Sequence, residues 1–195
     1  MTDLFSSPVL RVEQPRVAPG ARARYTVYDG RGTLLAKVAE HDVSTIRQAF
    51  RSVLGDGGGR RTVYVEDAQG APLLALERDG IRGTRVSTPH GGLIGSLRMD
   101  RFQHRYVLLD AAERPAGRLE GNRLARRFRV LDFHGDHVAQ LDKKWKGLAT
   151  EMLTTADRYA VEIFRPLHDP LRVLVAAAPI AIDLMLYESK DWPIG

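Results

Sequence analysis

A chain of 195 residues, 44% hydrophobic and 27% charged, has the profile of one globular domain able to bury a core. It has no cysteine, which excludes disulfides, thiolate zinc centres, a cysteine nucleophile and S-palmitoylation. A net charge of +5 favours anionic partners, either lipid headgroups or nucleic acid.

The domain is read as spanning residues 1–195, with 1–20 as an irregular N-terminal arm. Met1 to Leu10 lacks the basic start and apolar run of a signal peptide, so a cytoplasmic location is expected, with a peripheral place on the inner membrane face. Tyr25 to Asp29 then leads through Gly30-Arg31-Gly32 to Leu34 to Val38, and Val63 to Asp67 leads through Gly70 to Leu73 to Leu76. Aspartate tolerates left-handed geometry and caps its own turn, while glycine supplies positive φ, so each unit reads as a β-hairpin. Between them Asp42-Val43-Ser44 caps a short amphipathic helix near 44–54, with Ile46, Ala49, Phe50, Val53 and Leu54 on one side. Its ordinary moment suits packing on the outside of a sheet. Gly55 to Gly59 lacks the lysine and hydroxyl of a phosphate-binding loop and reads as a connector.

Two further hairpins follow, Tyr106 to Asp110 with Ala116 to Leu119, and Phe128 to Asp132 with Val138 to Leu141. Repeated hairpins indicate a sandwich or a barrel, which periodicity alone does not distinguish. The stretch from Arg98 to Arg129 holds nine arginines against four acids. Arg118, Arg123, Arg126, Arg127 and Arg129 are the candidate anion-binding residues here, with Arg127 and Arg129 on one face of a strand and Phe128 and Val130 on the other. Lys143, Lys144 and Lys146 around Trp145 extend the set. His134, Asp136 and His137 fall in a hairpin turn, where polar residues are expected without a metal. The remaining histidines are scattered and no serine sits in a nucleophile elbow, so no catalytic constellation is visible and a non-enzyme is expected.

Asp169-Pro170 reads as an N-cap followed by a proline at the first helical position, opening a helix from Leu171 to Tyr187 within a segment bounded at 169–188. Its uncharged core, Val173 to Ile182, spans about 15 Å, half of what a bilayer needs. Yet it is apolar on every face, so protein must enclose it, and a barrel plugged by this helix satisfies both elements. Arg172 and Asp183 share one side of the helix and sit at the wrong ends for its dipole. Each therefore needs a partner from the wall or a place at the barrel mouth. Pro179 frees the carbonyl of Val175, and Ala176-Ala177-Ala178 lets backbone approach closely.

Several motifs carry a family resemblance: Gly92 to Leu97; Asp132-Phe133-His134-Gly135 with Val138; Leu141 to Gly147, with its lysine-x-tryptophan-x-glycine block at Lys143, Trp145 and Gly147, continuing to Glu151; Thr155-Ala156-Asp157-Arg158-Tyr159; and Ala181 to Glu188. In that order and spacing they resemble the phospholipid scramblase family, grouped with LURP-one-related proteins in the tubby-like superfamily. The resemblance implies a mainly β fold, a closed antiparallel barrel of about twelve strands around the apolar C-terminal helix, and association with membrane lipids. It also implies an acidic calcium segment before the helix. Here only Asp157 and Asp169 match, as weak candidates, and calcium prefers six to eight oxygens, so no metal or other cofactor is expected.

The leading functional reading is a lipid-associated binding protein that engages anionic phospholipid headgroups at a membrane surface. A protein-interaction or regulatory scaffold is the alternative. Few aromatics interleave with the arginines and no helix-turn-helix or zinc module is present, which disfavours nucleic acid.

Overall fold

The computed structural model describes residues 3–14, 24–39, 62–100, 104–122, 126–143 and 157–187. The expected helix near 44–54 and Trp145 lie outside them. Twelve strands form one closed antiparallel barrel. They are β1 (Val9–Gln14), β2 (Arg24–Asp29), β3 (Leu34–Ala39), β4 (Thr62–Asp67), β5 (Pro72–Asp79), β6 (Gly83–Ser87), β7 (Leu93–Met99), β8 (Arg105–Asp110), β9 (Pro115–Gly121), β10 (Arg127–Asp132), β11 (His137–Lys143) and β12 (Asp157–Ile163). Each strand pairs with its neighbours in sequence, and β1 closes the ring against β12, Leu10 opposite Val161 and Val12 opposite Tyr159. The expectation of an irregular arm over residues 1–20 is thus corrected. Val9 to Gln14 is a wall strand whose Leu10 and Val12 are buried. Two alternate apolar residues between Pro8 and Pro15 are too short a pattern to stand out in sequence.

One turn is built repeatedly. At Asp29, Asp67, Asp110 and Asp132 the backbone N–H donates to the carbonyl four residues on, and the aspartate's own carbonyl accepts from the third residue. Each carboxylate Oδ1 also accepts the N–H groups of the second and fourth residues, at 2.8–2.9 Å. The third residue has positive φ, 90° at Gly32, Gly70 and Gly135 and 61° at Glu113. A register shift sits just before each turn, at Val27/Tyr28, Val65/Glu66, Leu108/Leu109 and Val130/Leu131. The β6–β7 hairpin repeats the arrangement with Thr88 in place of aspartate and Gly91 at φ 82°, after a shift at Val86/Ser87. In a meander these turns, each joining an even-numbered strand to the next, all fall at one end of the barrel. That end is called the turn end below, and the other the loop end.

The helix α1 (Leu171–Tyr187) fills the lumen. Every residue from Val173 to Met185 is buried, an environment that no helix lying on the outside of a sheet could have. Inward residues of the strands, including Leu97, Leu108, Leu119, Phe128, Leu141 and Val161, make one core with it. The helix contacts β5 to β8 and β12. Leucine side chains of the helix fill space where the wall has no side chain: a Cβ at Gly117 would lie 2.9 Å from Leu171 Cδ1, and one at Gly95 would lie 3.2 Å from Leu174 Cδ1. Asp169 does not cap a backbone N–H as expected. Both its oxygens accept from Arg172, Nε and Nη2 each at 3.1 Å. The N–H of Arg172 instead donates to the His168 carbonyl, so the first turn is closed without a side-chain cap.

Candidate functional site

Strand alternation sets the first candidate surface. On β10, Arg127 and Arg129 are exposed while Phe128 and Val130 are buried, as their spacing predicts. Neighbouring strands bring acids to the same outer face. Arg127 Nε lies 3.0 Å from Asp142 Oδ1, and Arg118 Nε lies 2.9 Å from Glu120 Oε1. Arg98 pairs with Glu113 across the same wall. Arg126 and Arg129 are exposed and form no ion pair with a described residue. The outer face is therefore a mixed-charge surface, with less free positive charge than the arginine count suggests. Arg123, Lys144 and Lys146 lie outside the described residues.

Lys143 departs from the set. It stands opposite Tyr159 in the β11–β12 ladder, on the inward face. Its ammonium lies 3.7 Å from Asp183 Oδ1 and 5.2 Å from the centre of the Tyr159 ring. It thus stands apart from Arg127 and Arg129, which face outward. Asp183, on α1, is buried and accepts the Tyr159 hydroxyl proton. The Tyr106 hydroxyl is pushed up to about 12, first by burial and then by the negative charge of Asp183. Thr84, also buried, donates to the Ala181 carbonyl at 3.2 Å. The wall thus supplies the partners that Asp183 requires, and Arg172 finds its own at the mouth in Asp169. Tyr106 is legible in sequence as a strand residue and Tyr159 as part of a family motif, but their place beside Asp183, and that of Thr84 nearby, is not. The only signal was Asp183 itself, a charge in an apolar helix.

Asp157 opens β12, and Asp169 lies beyond its far end, just before α1. Among the described residues no group of three or more His, Asp or Glu side chains could hold a metal ion. His134 lies against Phe133, ring centres 3.7 Å apart, and His137 meets Phe164 edge-on at 5.0 Å. Phe133 and Phe164 are 68% and 50% exposed, at the turn end. Their surroundings include Asp132, Asp136 and the Arg165–Asp136 ion pair at 3.2 Å.

The loop end differs in charge. Backbone hydrogen bonds join its segments side by side: Met99 to Arg82, Asp100 to Arg105, Gly121 to His104, Asn122 to Arg127 and Lys143 to Arg126. Exposed Arg82, Arg105 and Arg126 follow one another along this rim, and none forms an ion pair with a described residue. Ile81, in the β5–β6 turn, is 75% exposed.

Among the described residues no helix is long and apolar enough to cross a membrane. The X-ray structure of a protein from Arabidopsis thaliana matches the fold with a TM-score of 0.57 over 97% of each chain, at 17% sequence identity. No curated protein matches significantly. The family model described as Scramblase matches residues 20–189, which takes in all the strands from β2 to β12 and the whole of α1, and the chain belongs to that family.

Proposed function

We propose that this barrel is a lipid-associated binding protein that engages anionic phospholipid headgroups and works by binding rather than catalysis. The observation that carries this reading is the enclosure of α1. With its most apolar segment occupied by the protein's own core, contact with a membrane falls to the barrel surface, where exposed arginines are the attracting groups. The reading includes a peripheral place on the inner, cytoplasmic membrane face. Co-sedimentation with vesicles tests it: binding to phosphatidylserine-containing vesicles, absent on pure phosphatidylcholine and weakened by salt, supports the reading. Equal indifference to both vesicles would remove it. Exposed Phe133 and Phe164, both at the turn end, favour a second reading, a scaffold for a protein partner, because exposed aromatics near carboxylates suit a protein surface better than an anionic bilayer.

A further inference from the structure

Among the described residues the two ends of the barrel differ in the balance of their charges. At the turn end Asp29, Asp67, Asp110 and Asp132 each recur at the same place in a turn and Asp136 and Asp169 join them, outnumbering Arg31, Arg114, Arg165 and Arg172, of which the last three pair with Asp110, Asp136 and Asp169. At the loop end Arg82, Arg105 and Arg126 are exposed on successive strand ends, linked sideways by the backbone hydrogen bonds given above. Strands lie about 4.8 Å apart, so an arc from β6 to β10 places these three guanidinium groups along roughly 20 Å of one rim. The described carboxylates nearby are Asp79, held by Arg85 at 3.4 Å, Asp142, held by Arg127 at 3.0 Å, and exposed Asp100, which lies between Arg82 and Arg105 and leaves the three arginines in excess. Ile81 projects from the same rim, one residue before Arg82.

From this juxtaposition we infer that the protein docks end-on, with the loop end against an anionic membrane, Ile81 entering the headgroup region and Arg82, Arg105 and Arg126 contacting lipid phosphates. The inference deepens the lipid-binding proposal and rests on it. Charge complementarity selects the occupant. An anionic bilayer attracts this rim and repels the opposite one, while a face such as that of Arg118 and Arg127, already neutralised by Glu120 and Asp142, has little to offer. An exposed aliphatic residue among arginines is also how peripheral proteins combine shallow apolar insertion with attraction to headgroups.

The test uses vesicles of phosphatidylcholine with phosphatidylserine at low salt. Replacing Arg82, Arg105 and Arg126 by glutamine is expected to weaken partitioning about fivefold per arginine, on the order of a hundredfold together. Arg118→Gln with Arg129→Gln, on the barrel side, is expected to change it less than about threefold. All five arginines are exposed, so unchanged melting temperatures are expected to confirm folding. Because the chain has no cysteine, a polarity-sensitive fluorophore can be placed by Ile81→Cys or, at the other end, by Phe133→Cys. The probe at 81 should shift to the blue on vesicle binding and the one at 133 should not. A wild-type protein that binds while the rim variant binds equally well, or a blue shift at 133 alone, overturns end-on docking and leaves lipid binding intact. A wild-type protein that ignores the vesicles overturns both.

Discussion

The hydroxyl of Tyr159 on the barrel wall donates to the carboxylate of Asp183 on the enclosed helix, and Lys143 stands beside the pair. A buried carboxylate keeps its charge only while such partners compensate for lost hydration. Tyr159→Phe is expected to cost about 1.5–3 kcal/mol, the range for hydrogen bonds to charged groups. In a domain of this size that corresponds to a drop in Tm of roughly 3–12 °C. Lys143→Met and Asp183→Leu should each destabilise, while the double variant should lose less than their sum, a coupling that urea denaturation measures. Additive losses would mean that Lys143 and Asp183 do not interact in solution.

Ala177 lies at the middle of α1 and is 1% exposed. Ala177→Asp places an unpaired charge there, at a cost of several kcal/mol against a total stability of about 5–15 kcal/mol. Loss of the cooperative thermal transition is the expected result. A variant that melts like the wild type would put this helix outside the barrel.

Two glycines are required for different reasons, and alanine separates them. At Gly117 a Cβ would sit 2.6 Å from the Leu131 carbonyl oxygen and 2.9 Å from Leu171 Cδ1, so wall and helix must both yield. Gly117→Ala should cost about 1–3 kcal/mol or more through overpacking. At Gly70 nothing lies within 4 Å, but φ is +90°. Gly70→Ala should cost about 1–3 kcal/mol through the backbone alone. An additional Gly70→Asn variant should recover part of that loss, since asparagine tolerates left-handed geometry, whereas Gly117→Asn should be worse than alanine.

The turn aspartates make the fold acid-sensitive. Asp29 is held below its usual carboxylate range chiefly by the backbone N–H of Thr33, and Asp110 chiefly by that of Arg114. A carboxyl lowered in the folded state stabilises above its unfolded value of about 3.9 and loses that contribution as pH falls through the folded value. Asp110→Asn keeps an oxygen to accept the two N–H bonds but cannot titrate. Stability measured from pH 7 down to pH 2 should therefore fall less steeply below about pH 4 in Asp110→Asn than in the wild type. Parallel curves would show that the turn carboxylate titrates alike in the folded and unfolded chains.

The features legible in sequence were those decided locally. Four turns could be read because Asp and a later Gly or charged residue bracket them at fixed spacing, and α1 because a helix without a polar face has only one kind of place to go. The fifth turn escaped notice because Thr88 replaces aspartate while making the same bond to the N–H of Gly92. What sequence could not supply was register. Only the pairing of β10 with β11 brings Asp142 to Arg127, and only that of β11 with β12 turns Lys143 inward toward Asp183. The rim of Arg82, Arg105 and Arg126 is likewise spread along the chain and assembled by strand order.

The closure of β1 against β12 has a consequence for synthesis. The first wall strand is finished at Gln14, but its partner begins at Asp157, and the helix that fills the lumen ends only at Tyr187. At about 5–20 residues per second, a ribosome takes roughly 10–35 s to pass from one to the other. Throughout that interval the growing sheet has two free edges and an apolar inner face with nothing against it. A nascent chain arrested after Lys143 should accordingly bind holdase chaperones and resist protease poorly, and should lose both properties once Tyr187 has left the ribosome. The segment that ends this exposure to aggregation is made only after every strand of the wall.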